Sequence, residues 1–181
     1  MSPYQKHRKR WLQCRECGYC ETRRNVVLVR GKVPAEVLFV GEAPGASENV
    51  LGKPFCGPAG QLLDQIIERG IDGQADYALT NLVGCIPIED GTVTKAGAPS
   101  EESILACQDR LEEIINLVNP NVIVRVGKLA TKWLPKLFDI DVACVDMIHP
   151  AAILRMDASQ KPLAVQRCVV TLEDIAYPIP F

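Results

Sequence analysis

The chain has 181 residues, 48% of them apolar and 23% charged, with a formal net charge of −2. That length predicts one domain, 1–181, with a real core, and no apolar run approaches the ~20 residues of a membrane span. A charged N-terminus without an apolar stretch argues against a signal peptide, and eight cysteines in a cytoplasmic chain argue for metal or cluster ligation rather than disulfides.

Charge is unevenly placed. Residues 1–32 hold nine Lys/Arg against Glu16 and Glu21, and the remainder holds eleven against twenty Asp/Glu. Lys6, Arg8, Lys9, Arg10, Arg15, Arg23 and Arg24 therefore predict a basic N-terminal arm able to meet phosphates, although a solvated charged helix has the same composition.

In chain order, residues 3–13 predict a short basic helix with Trp11 and Leu12 inward. The turn Cys14-x-x-Cys17-x-x-Cys20 follows. Residues 25–30 and 36–40 read as strands, separated by Pro34. A long Gly/Pro loop spans 41–60 and carries Glu42 and Phe55, and a helix over 59–69 ends at Gly70. Residues 76–83 predict a strand ending in Thr80-Asn81, and 85–99 are irregular. Ser100 caps one helix running to Asn119, with Cys107 on its apolar stripe. A strand over 121–126, a helix over 127–134 stopped by Pro135, a strand over 141–147 and a helix over 161–175 complete the chain. Strands alternating with helices predict a parallel sheet covered on both faces. Ligands bind at the carboxyl edge of such sheets, and the 41–60 loop, Asn81 and His149 all fall there.

Cys14, Cys17, Cys85 and Cys107 can converge on one tetrahedral centre, for which spacing alone admits Zn²⁺ or a [4Fe–4S] cluster. Cys20 is a rival ligand, while Cys56, Cys144 and Cys168 read as core residues.

The motifs Gly41-Glu42-Ala43-Pro44-Gly45, Gly52-Lys53-Pro54-Phe55-x-Gly57-x-Ala59-Gly60-Gln61-Leu62-Leu63, Thr80-Asn81-x-Val83-x-Cys85 and His149-Pro150-x-x-Ile153-Leu154-Arg155 resemble those of family 4 uracil-DNA glycosylases. The resemblance runs over most of the chain in the right order, with Cys14-x-x-Cys17 at its start. It implies a three-layer α/β/α fold around a four-stranded parallel sheet. It also implies a [4Fe–4S] cluster on Cys14, Cys17, Cys85 and Cys107, and a monomer that removes uracil from single- or double-stranded DNA with no membrane partner. Glu42 and His149 would be catalytic. Gly41, Ala43, Phe55 and Asn81 would contact the flipped base, with the loop over 43–50 excluding the thymine methyl. Lys53, Gly57, Gly60 and Arg155 would meet phosphates, and Ile153 with Leu154 would wedge into the vacated stack.

Two departures from the family pattern stand out, together with one contrast to other glycosylase families. Ala43 occupies the position of the water-activating Asp of other glycosylase families. Ala151 replaces a common Ser. The stretch between Cys85 and Cys107 is several residues longer than usual and carries Glu89, Asp90 and Lys95. Ala151 and the longer stretch leave open a glycosylase-fold protein that binds DNA without cutting it, or that removes a different modified base. The histidine of the branch that bonds covalently to abasic DNA is missing from that stretch, so that trait is not expected.

Overall fold

Short apolar runs rich in Val, Ile and Leu make five-residue strands when both faces are covered. In a computed structural model of the chain, which describes residues 1–71, 73–88, 97–139 and 141–176, four such runs form β2 (Val37–Gly41), β3 (Tyr77–Asn81), β4 (Val122–Val126) and β5 (Ala143–Met147). They are parallel, in the order β3-β2-β4-β5, with Gly41 level with Asn81 and Val126 level with Met147. A two-residue strand, β1 (Arg30–Gly31), pairs antiparallel with the outer side of β3. Among the described residues the sheet is thus mixed and five-stranded, where the family resemblance implied four parallel strands. The strand expected over 25–30 survives only at its end. Val26, Val27 and Leu28 are buried there without joining the ladder, and the Leu28 carbonyl is taken by the Thr80 hydroxyl at 2.7 Å.

Side-chain alternation along the strands sends Leu38, Val40 and Ile123 to one face and Val37, Phe39, Val124 and Val126 to the other. The first face is covered by α4 (Glu101–Ala106), α5 (Gln108–Val118) and α6 (Lys128–Leu137), through Ile104, Leu111, Ile114 and Leu134. The second is covered by α3 (Pro58–Ile71), α7 (Pro150–Leu154) and α8 (Lys161–Ala176), through Leu63, Ile67, Ile153 and Leu172. This is the expected three-layer α/β/α arrangement.

Local readings shift in three places. The helix expected from Ser100 to Asn119 breaks at Cys107, whose φ of −90° and ψ of 0° close α4 and open α5. Gly70 lies inside α3 rather than beyond it: a Cβ there would stand 2.6 Å from the Leu172 Cβ, so the glycine lets α8 approach. The helix α6 runs through Pro135 to Leu137, with the proline ring exposed.

The basic arm is a docked helix, α1 (Pro3–Trp11), opened by a reciprocal Ser2–Gln5 capping box. One carboxylate on α5, Glu113, accepts the Trp11 indole N–H at 2.7 Å, the His7 ring at 2.9 Å and the Arg10 guanidinium. Trp11 is buried as predicted, but Leu12 is exposed and His7 is buried. Among the described residues no helix is long and apolar enough to cross a membrane.

Candidate active site

The loop after β2 contains a short helix, α2 (Ala46–Leu51), that sequence periodicity did not reveal, because six residues are too few to show a period. Its Glu48 is nearly buried, and the carboxylate accepts backbone N–H groups from Gly45 at 3.1 Å and from Cys56 and Gly57 at 2.8 Å each. The loop is therefore closed on itself by one side chain. The next residue, Asn49, is 1% exposed and accepts from Arg24 N at 2.8 Å and Asn25 N at 3.3 Å, which ties the end of the N-terminal segment to α2.

This closed loop holds Phe55 in the left-handed region, with φ of 52°, a conformation that costs a non-glycine residue about 1–3 kcal/mol. Two glycines make the room. A Cβ on Gly60 would fall 1.9 Å from the Phe55 carbonyl oxygen, and one on Gly41 would fall 2.4 Å from the ring and 2.5 Å from Asn81 Oδ1. The phenyl ring, the Asn81 amide and the end of β2 thus meet with no space for another side chain.

His149 follows β5 and caps α7. Its Nδ1 accepts the Ala151 N–H at 3.1 Å, so in the neutral ring the proton sits on Nε2. Burial, aided by the Arg155 charge, pushes its pKa down to about 4. The imidazole and the Phe55 ring lie 6.2 Å apart between centroids, tilted by 30°. Burial raises the pKa of Glu42, against the Leu129 backbone N–H and Arg155, which lower it. Gly127, with φ of 94°, separates the two groups: a Cβ there would stand 2.8 Å from Glu42 Oε1 and 3.0 Å from His149 Cβ. Glu42, Ala43, Glu48, Phe55, Asn81 and His149 line one cavity of about 240 Å³. That is below the usual range for larger ligands and suits a single small ring. The four side chains singled out from sequence do converge.

Beside this cavity, and sharing Glu42 and His149 with it, runs an open groove of about 860 Å³ lined by Lys128, Lys132, Ala152 and Arg155. Lys53 is exposed. Two expectations change here. Ile153 is 1% exposed and belongs to the core under α3 and α8, because the short turn of α7 points it inward, while Leu154 is 41% exposed. The Gly57 N–H is occupied by Glu48, so it is not free for a phosphate. Of the basic arm, Arg10 pairs with Glu113, Arg15 with Glu21, and Arg23 donates to the Cys14 carbonyl, which leaves Lys6, Arg8, Lys9 and Arg24 without an acidic partner among the described residues. Glu89, Asp90 and Lys95 lie outside the described residues.

The four cysteines expected to hold a metal centre lie on neighbouring segments. Cys14 and Cys17 precede a 3₁₀ turn (Gly18–Glu21), Cys85 is buried a few residues beyond β3, and Cys107 is buried at the α4–α5 break. Burial pushes the Cys85 thiol up to about 12, and Arg23 opposes that while Cys107, Cys17 and Cys14 add to it. The four thiols are thus close enough to feel one another's charge. Among the described residues, no group of three or more His, Cys, Asp or Glu already stands in metal-holding array. Burial and the neighbouring thiols raise Cys17 and Cys85, and a bound cation would favour their ionised forms. Cys20 points elsewhere, towards Glu21 at 3.3 Å, and Cys56 and Cys144 are only half-buried rather than core.

Residues 29–173 match the family model of the uracil DNA glycosylase superfamily. The chain is similar to the type-4 uracil-DNA glycosylase of Saccharolobus solfataricus, with 34% identity over 76% of this chain and 61% of that one. It is also similar to the type-4 enzymes of Archaeoglobus fulgidus, with 33% identity over 76% and 66%, and of Pyrobaculum aerophilum, with 34% over 84% and 87%. The chain thus spans about three fifths to two thirds of the length of the first two. With its sheet, its loop and four-fifths of its length accounted for in this way, the chain belongs to the uracil DNA glycosylase superfamily.

Proposed function

We propose that this protein is a monofunctional uracil-DNA glycosylase that hydrolyses the N-glycosidic bond of a flipped-out deoxyuridine and so starts base-excision repair. The observation that carries the reading is the meeting of Glu42, Phe55, Asn81 and His149 around one ring-sized cavity.

The base must leave the stack to enter such a cavity. Phe55 offers an aromatic face to stack on, and the Asn81 amide reads the pyrimidine edge, rejecting cytosine by leaving polar atoms unpaired. Glu48, on the cavity wall within the 43–50 loop, fills space that a thymine methyl would need. As the C1′–N1 bond breaks, its electron pair moves onto the base. The Nε2–H of neutral His149 then donates to uracil O2 and stabilises the growing negative charge. The Glu42 carboxylate favours the cationic sugar and orients the water that attacks C1′. Because Ala43 supplies no second carboxylate, charge stabilisation carries more of the rate than proton abstraction. Leu154 enters the gap left by the base, while Lys53, Arg155, the first amides of α3 at Gly60 and the unpaired cations of the arm meet phosphates.

Cys14, Cys17, Cys85 and Cys107 would hold a [4Fe–4S] cluster. Hydrolysis of a glycosidic bond moves no net electrons, so the cluster would act as a structural tie between the N-terminal segment, the end of β3 and the α4–α5 junction. Similarity to the type-4 relatives supports this choice over zinc; the four thiols themselves do not decide between the two.

The test is incubation with a uracil-containing oligonucleotide followed by alkali. Strand breaks at the uracil, absent for matched thymine and cytosine oligonucleotides, are expected. Tight binding without base release would instead favour the non-cutting reading.

A further inference from the structure

Arg110, on the first turn of α5, is 1% exposed and is the largest fully buried side chain among the described residues. No described carboxylate lies within ion-pair distance of it. Burying a guanidinium without a counter-charge is costly, and an apolar residue of similar volume would often stabilise a fold more. The placement therefore calls for something an apolar residue could not do.

What Arg110 does is donate to main-chain oxygen. One terminal nitrogen reaches the Asn81 carbonyl at 2.5 Å and the Leu82 carbonyl at 2.9 Å. The other reaches the Thr80 hydroxyl at 3.4 Å. These groups lie where β3 leaves the sheet. Gly41 and Asn81 are the last residues in register, after which Leu82 N still reaches the Gly41 carbonyl at 2.9 Å and Val83 N the Glu42 carbonyl at 3.3 Å. Carbonyls at such an end have lost their ladder partners and need other donors. The break at Cys107 brings the start of α5 to them. Gly84 leaves the room, since a Cβ there would stand 3.3 Å from Arg110 Cδ and Nε.

We propose that Arg110 is a positioning residue for base recognition: its guanidinium clamps the Asn81 and Leu82 carbonyls from behind the cavity and fixes how the Asn81 amide meets the pyrimidine edge. The inference rests on the glycosylase reading above. A rigid fork reaching several oxygens at once is a property of arginine that a lysine ammonium does not reproduce.

The experiment measures kcat/KM for uracil release, together with inhibition by free uracil, for wild type, Asn81→Ala, Arg110→Lys and the double variant. Arg110→Lys is expected to lower kcat/KM on the order of 10-fold and to weaken free-uracil inhibition in step, without changing affinity for uracil-free DNA. In the Asn81→Ala background it should add nothing, because residues acting as one unit are not additive. Gly84→Ala, which crowds the guanidinium without removing it, should shift both readouts the same way, and it carries the test if Arg110→Lys does not fold. Losses that multiply in the double variant, or wild-type behaviour of the variants, overturn the proposal and leave the glycosylase reading intact. A wild-type protein that releases no base, or an Asn81→Ala variant as active as wild type, overturns both.

Discussion

Two side chains set the chemistry of the cavity through protonation. Activity in this mechanism needs Glu42 ionised and His149 neutral. Burial lifts the Glu42 pKa above its ordinary 4.5 and drops that of His149 to about 4. Both conditions fail on the acid side, so kcat/KM should fall as pH drops through the raised Glu42 range, and Glu42→Gln should lose that limb. Glu42→Gln and His149→Ala should each slow base release on the order of 10- to 1000-fold, the range of one lost transition-state contact, measured in single turnover. The same imidazole affects folding. Between pH 6.5 and about 4 the unfolded chain binds a proton there that the folded chain does not. Its contribution to stability is therefore present above that window and declines as pH falls through it. Thermal melts of His149→Asn should show a flatter acid decline than wild type. Glu42, Phe55, Asn81 and His149 were legible in the sequence because each sits at a strand end or beside a glycine turn. Gly127, Glu48 and Arg110 were not, since what they do depends on segments far away in the chain.

At the scale of elements, the 41–60 loop works as a closed ring rather than a flexible connection, and Glu48 is its fastener. Three charge-assisted hydrogen bonds converge on that carboxylate. Glu48→Gln keeps the shape but weakens the acceptor, and it should lower kcat/KM and speed hydrogen exchange at the Cys56 and Gly57 amides that the carboxylate holds, read by exchange mass spectrometry. The helix α7 turns Leu154 outward and Pro150 and Ile153 inward. Leu154→Ala should therefore slow uracil release from duplex DNA more than from single strands, whereas Ile153→Ala should lower the melting temperature, by about 2–5 kcal/mol of stability. The parallel strands and long helices were readable from two- and 3.6-residue periods. The shortening of the 25–30 strand to the two residues of β1, the break at Cys107 and the six-residue α2 were not, because tertiary hydrogen bonds rather than local pattern decide them.

Across the whole molecule, the N-terminal segment 1–25 is pinned by Glu113 under α1, by Asn49 behind Arg24 and Asn25, and by the Ser100 N–H on the Tyr19 hydroxyl. Cys14 and Cys17, two of the four proposed cluster ligands, lie between α1 and Arg24 in the chain. Cys17→Ser or Cys85→Ser should purify with little iron and sulfide and a lower melting temperature, checked by metal analysis and calorimetry. The pinning also spaces the protein's two tryptophans. Trp11 belongs to the docked helix, its indole N–H on Glu113, while Trp133 lies in the α6 core layer with Lys132 and Lys136 over its ring. Emission from the two indoles consequently offers an optical gauge of partial opening: Glu113→Gln should redden the first signal while the second keeps its colour.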